Sequence, residues 1–209
     1  MQLSTPPATL DQLIERTELF HLVQSERISR DTAKWDDLTA CYWPETSRVR
    51  VTWFDGSAEE FVERSRTQVE KGKGKGLHEI VPIRAEIVGD RALVDSRGTI
   101  MVRAMLHGIE SDFDHWCRFL SRAERREGEW RLCQFDAIYG RDRVQAVRPD
   151  QALPIDWSIA EPLRESYRWL AYLNVANGYP YDDQLPGDDR PDLRAEFEAE
   201  AGEWLAQGH

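Results

Sequence analysis

Val81-Pro82-Ile83-Arg84-Ala85-Glu86-Ile87-Val88-Gly89-Asp90-Arg91-Ala92-Leu93-Val94 alternates apolar and polar residues and then breaks at Gly-Asp. Period-two alternation marks a strand with one face on a core, and Gly-Asp between two such runs is a two-residue hairpin turn. The pattern predicts a strand whose apolar face is Val81, Ile83, Ala85 and Ile87, with a returning strand from Ala92 to Val102. A third strand is expected from Asp114 to Arg125. It turns at Glu127-Gly128 into a fourth, from Trp130 to Tyr139. Four consecutive strands of this kind make an antiparallel meander.

Upstream of the meander the period is that of a helix. Thr9-Leu10-Asp11-Gln12 has the capping-box form and opens a helix over 10–29. A short second helix carries Trp35, Leu38, Cys41 and Tyr42 on one face and ends at Pro44. Arg48 to Trp53 alternates as a strand, with a turn at Asp55-Gly56. Ser57-Ala58-Glu59-Glu60 caps a third helix bearing Phe61, Val62, Ser65 and Val69, which the glycines at 72, 74 and 76 stop. Helices first and strands afterwards give an α+β class, with helices packed on one face of a curved antiparallel sheet.

Beyond the meander, residues 140 to 157 are polar and contain proline, as a connector does. Ser158-Ile159-Ala160-Glu161 caps a helix running through Leu163, Tyr167, Leu170 and Leu173 to Gly178. Tyr179 to Asp189 is loop, and a last helix carries Leu193, Phe197 and Trp204. The expected organisation is a barrel domain over 1–140 and a helical extension over 141–209. The extension exposes too much apolar surface to stay free in water, so it packs on its own barrel or on a neighbouring subunit. Its loop is either a lid over a cavity mouth or part of a structural clasp.

The composition narrows the function classes. With 27 Lys and Arg against 38 Asp and Glu among 209 residues, the net charge is −11. A chain so acidic is poorly suited to general binding of phosphate backbones. No apolar run approaches the ~20 residues that span a bilayer. Met1 to Pro7 has neither a basic region nor an apolar stretch, so a cytoplasmic address is expected. Cys41, Cys117 and Cys133 are an odd number without CxxC spacing and read as reduced thiols. HExxH, HxxxH, GxSxG and P-loop spacings are all missing, so neither metal nor cofactor is expected. The partner expected is a small molecule, with no nucleic acid and no membrane.

Two residues stand out as an acid–base pair. Asp31 lies at the junction of the first two helices, and His78 opens the meander after Lys71-Gly72-Lys73-Gly74-Lys75-Gly76-Leu77. A carboxylate that orients an imidazole makes a general acid–base device near neutral pH. Each has a plainer reading. Asp31 suits the N-cap of the second helix. His78 shares its strand face with Ile80, Pro82, Arg84 and Glu86, a mixed set that suits solvent. Eight Trp and six Tyr are many for this length, and some suit a pocket for a flat, apolar substrate. Tyr42, Trp53, His115, Phe135 and Tyr139 are the candidates for substrate contact, with His107 also near a strand.

Helix, helix, strand, helix and a meander closed by Glu127-Gly128-Glu129-Trp130-Arg131-Leu132 resembles the SnoaL-like branch of the nuclear-transport-factor-2-like superfamily, which includes scytalone dehydratase. The resemblance covers residues 10 to 140. It implies a cone-shaped α+β barrel. It places Asp31, in Asp31-Thr32-Ala33-Lys34-Trp35, where catalytic members have the dyad aspartate, and His78 where they have the histidine. The implied activity is a cofactor-independent lyase, a dehydratase or an elimination of a small fragment, on a small aromatic or polycyclic substrate. An isomerase or polyketide-type cyclase in the same cavity is the alternative, as is a binding module without chemistry, in which Asp31 and His78 would not touch. Dehydrochlorinase-like members have an arginine in the last strand where this chain has Phe135, which argues against halide expulsion of that type. The family's habits, and a curved sheet that needs both faces covered, imply a homo-oligomer, dimer or trimer.

Overall fold

The structure is a computed structural model and describes residues 9–72, 76–179 and 181–208. Helix α1 spans Leu10–Asp31 and starts where expected, with the Thr9 hydroxyl accepting from the Gln12 amide. It runs two residues further than the periodicity predicts. Helix α2 is Trp35–Ala40 and helix α3 is Ala58–Glu70, capped by Ser57. Between them lie β1, Arg48–Val51, and β2, Phe54–Ser57. The turn joining these strands falls at Thr52-Trp53, so Asp55-Gly56 is strand and not the expected turn.

The meander strands are all longer than their alternation suggests: β3 is Gly76–Val88, β4 Arg91–Leu106, β5 Ile109–Arg126 and β6 Glu129–Ala146. Residues 140–146, read above as connector, therefore belong to the sheet. The expected turns at Gly89-Asp90 and Glu127-Gly128 are present, and His107-Gly108 makes a third. Glu127 and Gly128 both have positive φ, as do His107 and Gly108, the backbone that a two-residue hairpin of matching twist requires. The six strands run β2-β1-β6-β5-β4-β3. Every neighbouring pair is antiparallel except β1 with β6, which is parallel.

Which face of β3 is buried differs from the expectation. Val81 is 57% exposed and Ile83 51% exposed, whereas Ala85 and Ile87 pack on the core. The cause is a β-bulge: Pro82 pairs with Ser96 and Arg84 with Asp95, leaving Ile83 as an extra residue. An extra residue shifts the alternation by one and bends the strand. Before the bulge the inward residues are His78, Ile80 and Pro82; after it they are Ala85 and Ile87. Arg16 of α1 donates to the Ile83 carbonyl at 3.2 Å and ties the helix to the bend.

Leu19 and Val23 of α1, Leu38 of α2 and Phe61 of α3 meet Val94, Phe113, Phe119 and Phe135 on the inner face of the sheet. Each such side chain, fully buried, contributes roughly 1.5–3 kcal/mol against exposure. The long helix expected from Ser158 is instead α4, Trp157–Ala160, a short 3-10 turn over Glu165–Tyr167, and α5, Arg168–Ala176. Pro162 has no N–H for the Ser158 carbonyl, which breaks the run. The cap is Asp156, whose carboxylate accepts from the Ser158 amide. Helix α6, Pro191–Ala206, lies on the outer face, where Arg118 reaches Glu198 at 2.8 Å and Arg122 reaches Glu200 at 3.0 Å. No helix among the described residues is long and apolar enough to cross a membrane.

Candidate active site

The buried stripe of α1 begins with Leu19 and Val23 and ends in charge, with Glu26, Arg27 and Asp31 buried and Arg30 half-buried beside them. Residues three and four apart share a helix face, so the last two turns aim these four groups at the sheet. The Arg27 guanidinium grips the Glu26 carboxylate with two hydrogen bonds and lies 4.2 Å over the Phe135 ring. The pairing holds the Arg27 pKa above its ordinary value despite burial. The Tyr42 hydroxyl donates to the same carboxylate at 2.7 Å. These four groups saturate one another.

Asp31 closes α1 and uses both carboxylate oxygens on His78. Oδ2 accepts the His78 backbone N–H at 2.6 Å, and Oδ1 lies 2.7 Å from the ring Nδ1. The first bond pins the start of β3 and the second pins the ring. The N-cap reading of Asp31 fails, because α2 is capped at Lys34 with no side-chain bond. The solvent reading of His78 fails as well, since its side chain is 5% exposed. With Nδ1–H donated to the carboxylate, Nε2 holds the lone pair. Burial, followed by the neighbouring Arg30 and Arg27, pushes the His78 pKa down to about 4 against the pull of Asp31. The ring is therefore neutral at pH 7, the state a base needs.

Sheet register places the other candidates. His78 pairs with Ile100, Ile100 with His115, and His115 with Asp142, so all four share one inner row. At about 4.8 Å per strand, His115 stands roughly 10 Å from His78 across Ile100. It is 1% exposed, its Nδ1 is 3.3 Å from the Asp142 carboxylate, and neither ring nitrogen makes a well-aligned hydrogen bond. Tyr139 sits one row away, opposite Cys117, with its hydroxyl accepting the Thr52 amide at 3.1 Å. Trp53, in the β1–β2 turn, stacks near Phe61 at 5.5 Å, and the Arg30 guanidinium lies 5.6 Å from its ring. His107 is at the β4–β5 turn, bonded to the Tyr172 hydroxyl. Trp53 thus meets Arg30, the neighbour of His78, and His115 lies two strands from His78 in its row, whereas the Tyr42 and Tyr139 hydroxyls are already engaged.

Burial raises the Cys41, Cys117 and Cys133 thiols to about 12, which leaves them un-ionised and poor nucleophiles. Among the described residues no three His, Cys, Asp or Glu cluster closely enough to hold a metal. A shallow groove lined by Asp90, Arg91, Glu124, Arg125, Gln207 and Gly208 lies at the opposite end of β3 from His78. Periodicity missed Glu26, Arg27 and Arg30. Their signal was charge continuing the i, i+3, i+4 stripe that Leu19 and Val23 begin.

Residues 11–136 match the family described as SnoaL-like domain. The chain belongs to that family. It is 26% identical over 181 residues to pea pathogenicity protein 2 of Fusarium vanettenii, covering 85% of this chain and 77% of that protein. Among solved structures, a type 2 hexachlorocyclohexane dehydrochlorinase superposes with a TM-score of 0.58 at 16% identity, over 70% of this chain and 99% of that one. A protein assigned as a scytalone dehydratase, from Novosphingobium aromaticivorans, gives 0.51 at 16% identity, over 68% and 94%. These likenesses carry the cone-shaped α+β fold.

Proposed function

We propose that the protein is a cofactor-independent lyase of the dehydratase type, with His78 as general base and Asp31 as its positioning carboxylate. The observation that carries this reading is the two-point grip of Asp31 on His78, which leaves Nε2 as the acceptor nitrogen of the ring, met by Arg30 Nη1 through a long contact of 3.4 Å. A binding module has no need of that grip and would leave the two side chains apart. The names of the dehydrochlorinase and scytalone dehydratase structures that share the fold favour elimination chemistry. In the reaction, Nε2 takes the proton from a carbon beside a carbonyl, and the C–H electrons form the enolate. The enolate then expels a β-hydroxyl, which leaves as water with the proton returned from the imidazolium. Asp31 stabilises the imidazolium between the two steps. A flat aromatic or bicyclic ketone suits the wall made by Trp53, Ile100 and Phe61, with His115 hydrogen-bonding its far polar group. Isomerisation of the same enolate is the alternative outcome.

The test uses aromatic and bicyclic β-hydroxy ketones, followed by mass, together with exchange of the α-protons of 2-tetralone in heavy water. Loss of one water identifies dehydration, and unchanged mass with a new isomer identifies isomerisation. Replacing His78 by Ala is expected to lower either rate by ~10²–10⁴. An unchanged rate in that variant removes His78 from the chemistry.

A further inference from the structure

We propose that Arg30 is the anion-binding residue of this site, and that the substrate carries an anionic oxygen which Arg30 holds beside His78 Nε2. The proposal rests on the reading of His78 as the base and adds the chemical class of what it acts on. Arg27 and Arg30 stand on the same helix face but differ in their partners. Arg27 is consumed by Glu26. Arg30 makes no ion pair among the described residues, and its two hydrogen bonds are long: Nε to the Ser65 hydroxyl at 3.4 Å and Nη1 to His78 Nε2 at 3.4 Å. A guanidinium has five N–H donors in a planar fork that fits a carboxylate or a similar oxyanion. Most of that fork is unused here. The rings of Trp53 and Phe61 lie 5.6 and 5.4 Å from its carbon and flank the guanidinium.

Gly76 supplies the space in front of it. A side-chain carbon at that position would lie 3.4 Å from His78 Cε1 and 3.9 Å from Arg30 Nη1. Glycine here leaves the approach to the base and the cation uncovered, whereas a side chain would lie against both and against Val102. A half-buried guanidinium with no direct ion-pair partner is under-solvated, and an arriving anion offsets that cost. Negative charge that develops on the same oxygen as the proton leaves stays against the guanidinium. The occupied site also changes the base. Among the described residues the largest charges bearing on His78 come from α1, with Asp31 favouring the imidazolium and Arg30 and Arg27 opposing it. The α3 side chain at Arg30 is the uncharged Ser65, and the β3 and β4 neighbours of the ring are Gly76 and Ile100. His115 of β5 stands two strands away. An anion on Arg30 cancels its repulsion, so His78 becomes a stronger base only when substrate is bound.

The experiment follows the His78 ring proton resonance of the full chain by NMR against pH. Benzoate and 2,4,6-trinitrophenolate, which stays ionised where His78 titrates, are the anionic probes, and benzamide is the neutral one. A rise of at least one pKa unit, a tenfold gain in proton affinity, is expected with an anionic probe and none with benzamide. A response to benzoate marks a carboxylate substrate; a response to trinitrophenolate alone marks an ionised enol or phenol. Arg30→Gln is expected to weaken binding of the active probe at least tenfold and abolish the rise, and Arg30→Lys to restore part of both. The proposal is overturned if neither anion moves His78 in the wild type. It is equally overturned if benzamide binds as well as benzoate, or if Arg30→Gln binds the anion unchanged. Should Arg30→Gln not fold, the wild-type comparison of charged with neutral probe still decides. The tetralone exchange rate of His78→Ala tests the base separately, so failure of Arg30 and failure of His78 give different results.

Discussion

Gly98 is the residue on which the floor of the site depends. It lies between Ile80 and Cys117 in the inner rows of the sheet, and the Phe119 ring fills the space above it. A side-chain carbon there would stand 2.1 Å from Phe119 Cε2. Phe119 has little room to retreat, since Phe135 packs against it at 5.1 Å and Arg27 covers Phe135. Gly98→Ala is therefore expected to destabilise the fold by about 1–3 kcal/mol through overpacking, read from the shift in urea midpoint at constant slope. A loss under 0.5 kcal/mol, roughly the scatter of surface substitutions, would mean the ring moves aside freely. Single residues were unequally legible in the sequence. Asp31 and His78 announced themselves through residue type and setting, but Arg30 sits in a charged helix where a lone arginine looks solvated. Only packing distinguishes it from Arg27, because Glu26 pairs directly with one while the other has no direct ion pair among the described residues.

At the scale of elements, α5 begins without a cap of its own. Its N-terminal residue Tyr167 makes no side-chain bond to the helix, and the sheet supplies the acceptor instead. Asp142 Oδ2 takes the Trp169 amide at 2.7 Å and the Leu170 amide at 3.0 Å. A carboxylate facing two free N–H groups at a helix start is favoured by hydrogen bonding and by the helix dipole. Asp142→Ala is expected to cost about 0.5–2 kcal/mol and to speed amide exchange in α5 while β4 and β5 keep their protection. Equal loosening of sheet and helix would show that Asp142 holds more than the helix start. The order of helices and meander strands followed from periodicity, because capping residues and Gly turns act locally. Two features did not. The inward face of β3 depended on a bulge at Ile83, and a bulge is set by bending against α1, which no alternation records. The tail helix breaks at Pro162, a break that the helical period across Leu163, Tyr167 and Leu170 masks.

For the whole molecule, two described groups on opposite faces of the sheet have pKa values shifted into the range between pH 4 and 7. Asp136 points outward beside Gln134, and burial raises its pKa to about 6. His78 points inward and titrates at about 4. The signs oppose. Below pH 6.5 the unfolded chain protonates its histidine while the folded chain does not, so His78 lowers stability as the pH falls. Asp136 is the reverse: the folded chain takes up its proton near pH 6, before the unfolded chain does near 3.8, so stability rises as the pH falls through that window. From pH 7 to pH 5 the His78 contribution is a loss of about 2 kcal/mol, and the Asp136 contribution a smaller gain of about 1 kcal/mol. The other strongly shifted carboxylates, Asp189 and Asp192, are lowered and act only below this range. The two groups lie on separate faces without shared partners, so their effects add. Wild type is expected to lose about 1 kcal/mol over this interval, and Asp136→Asn about 2 kcal/mol, measured as urea-unfolding free energies at pH 7 and pH 5. Parallel losses in the two proteins would remove Asp136 from the balance. A flat profile in Asp136→Asn would show instead that His78 is not held neutral, and would weaken its assignment as the base.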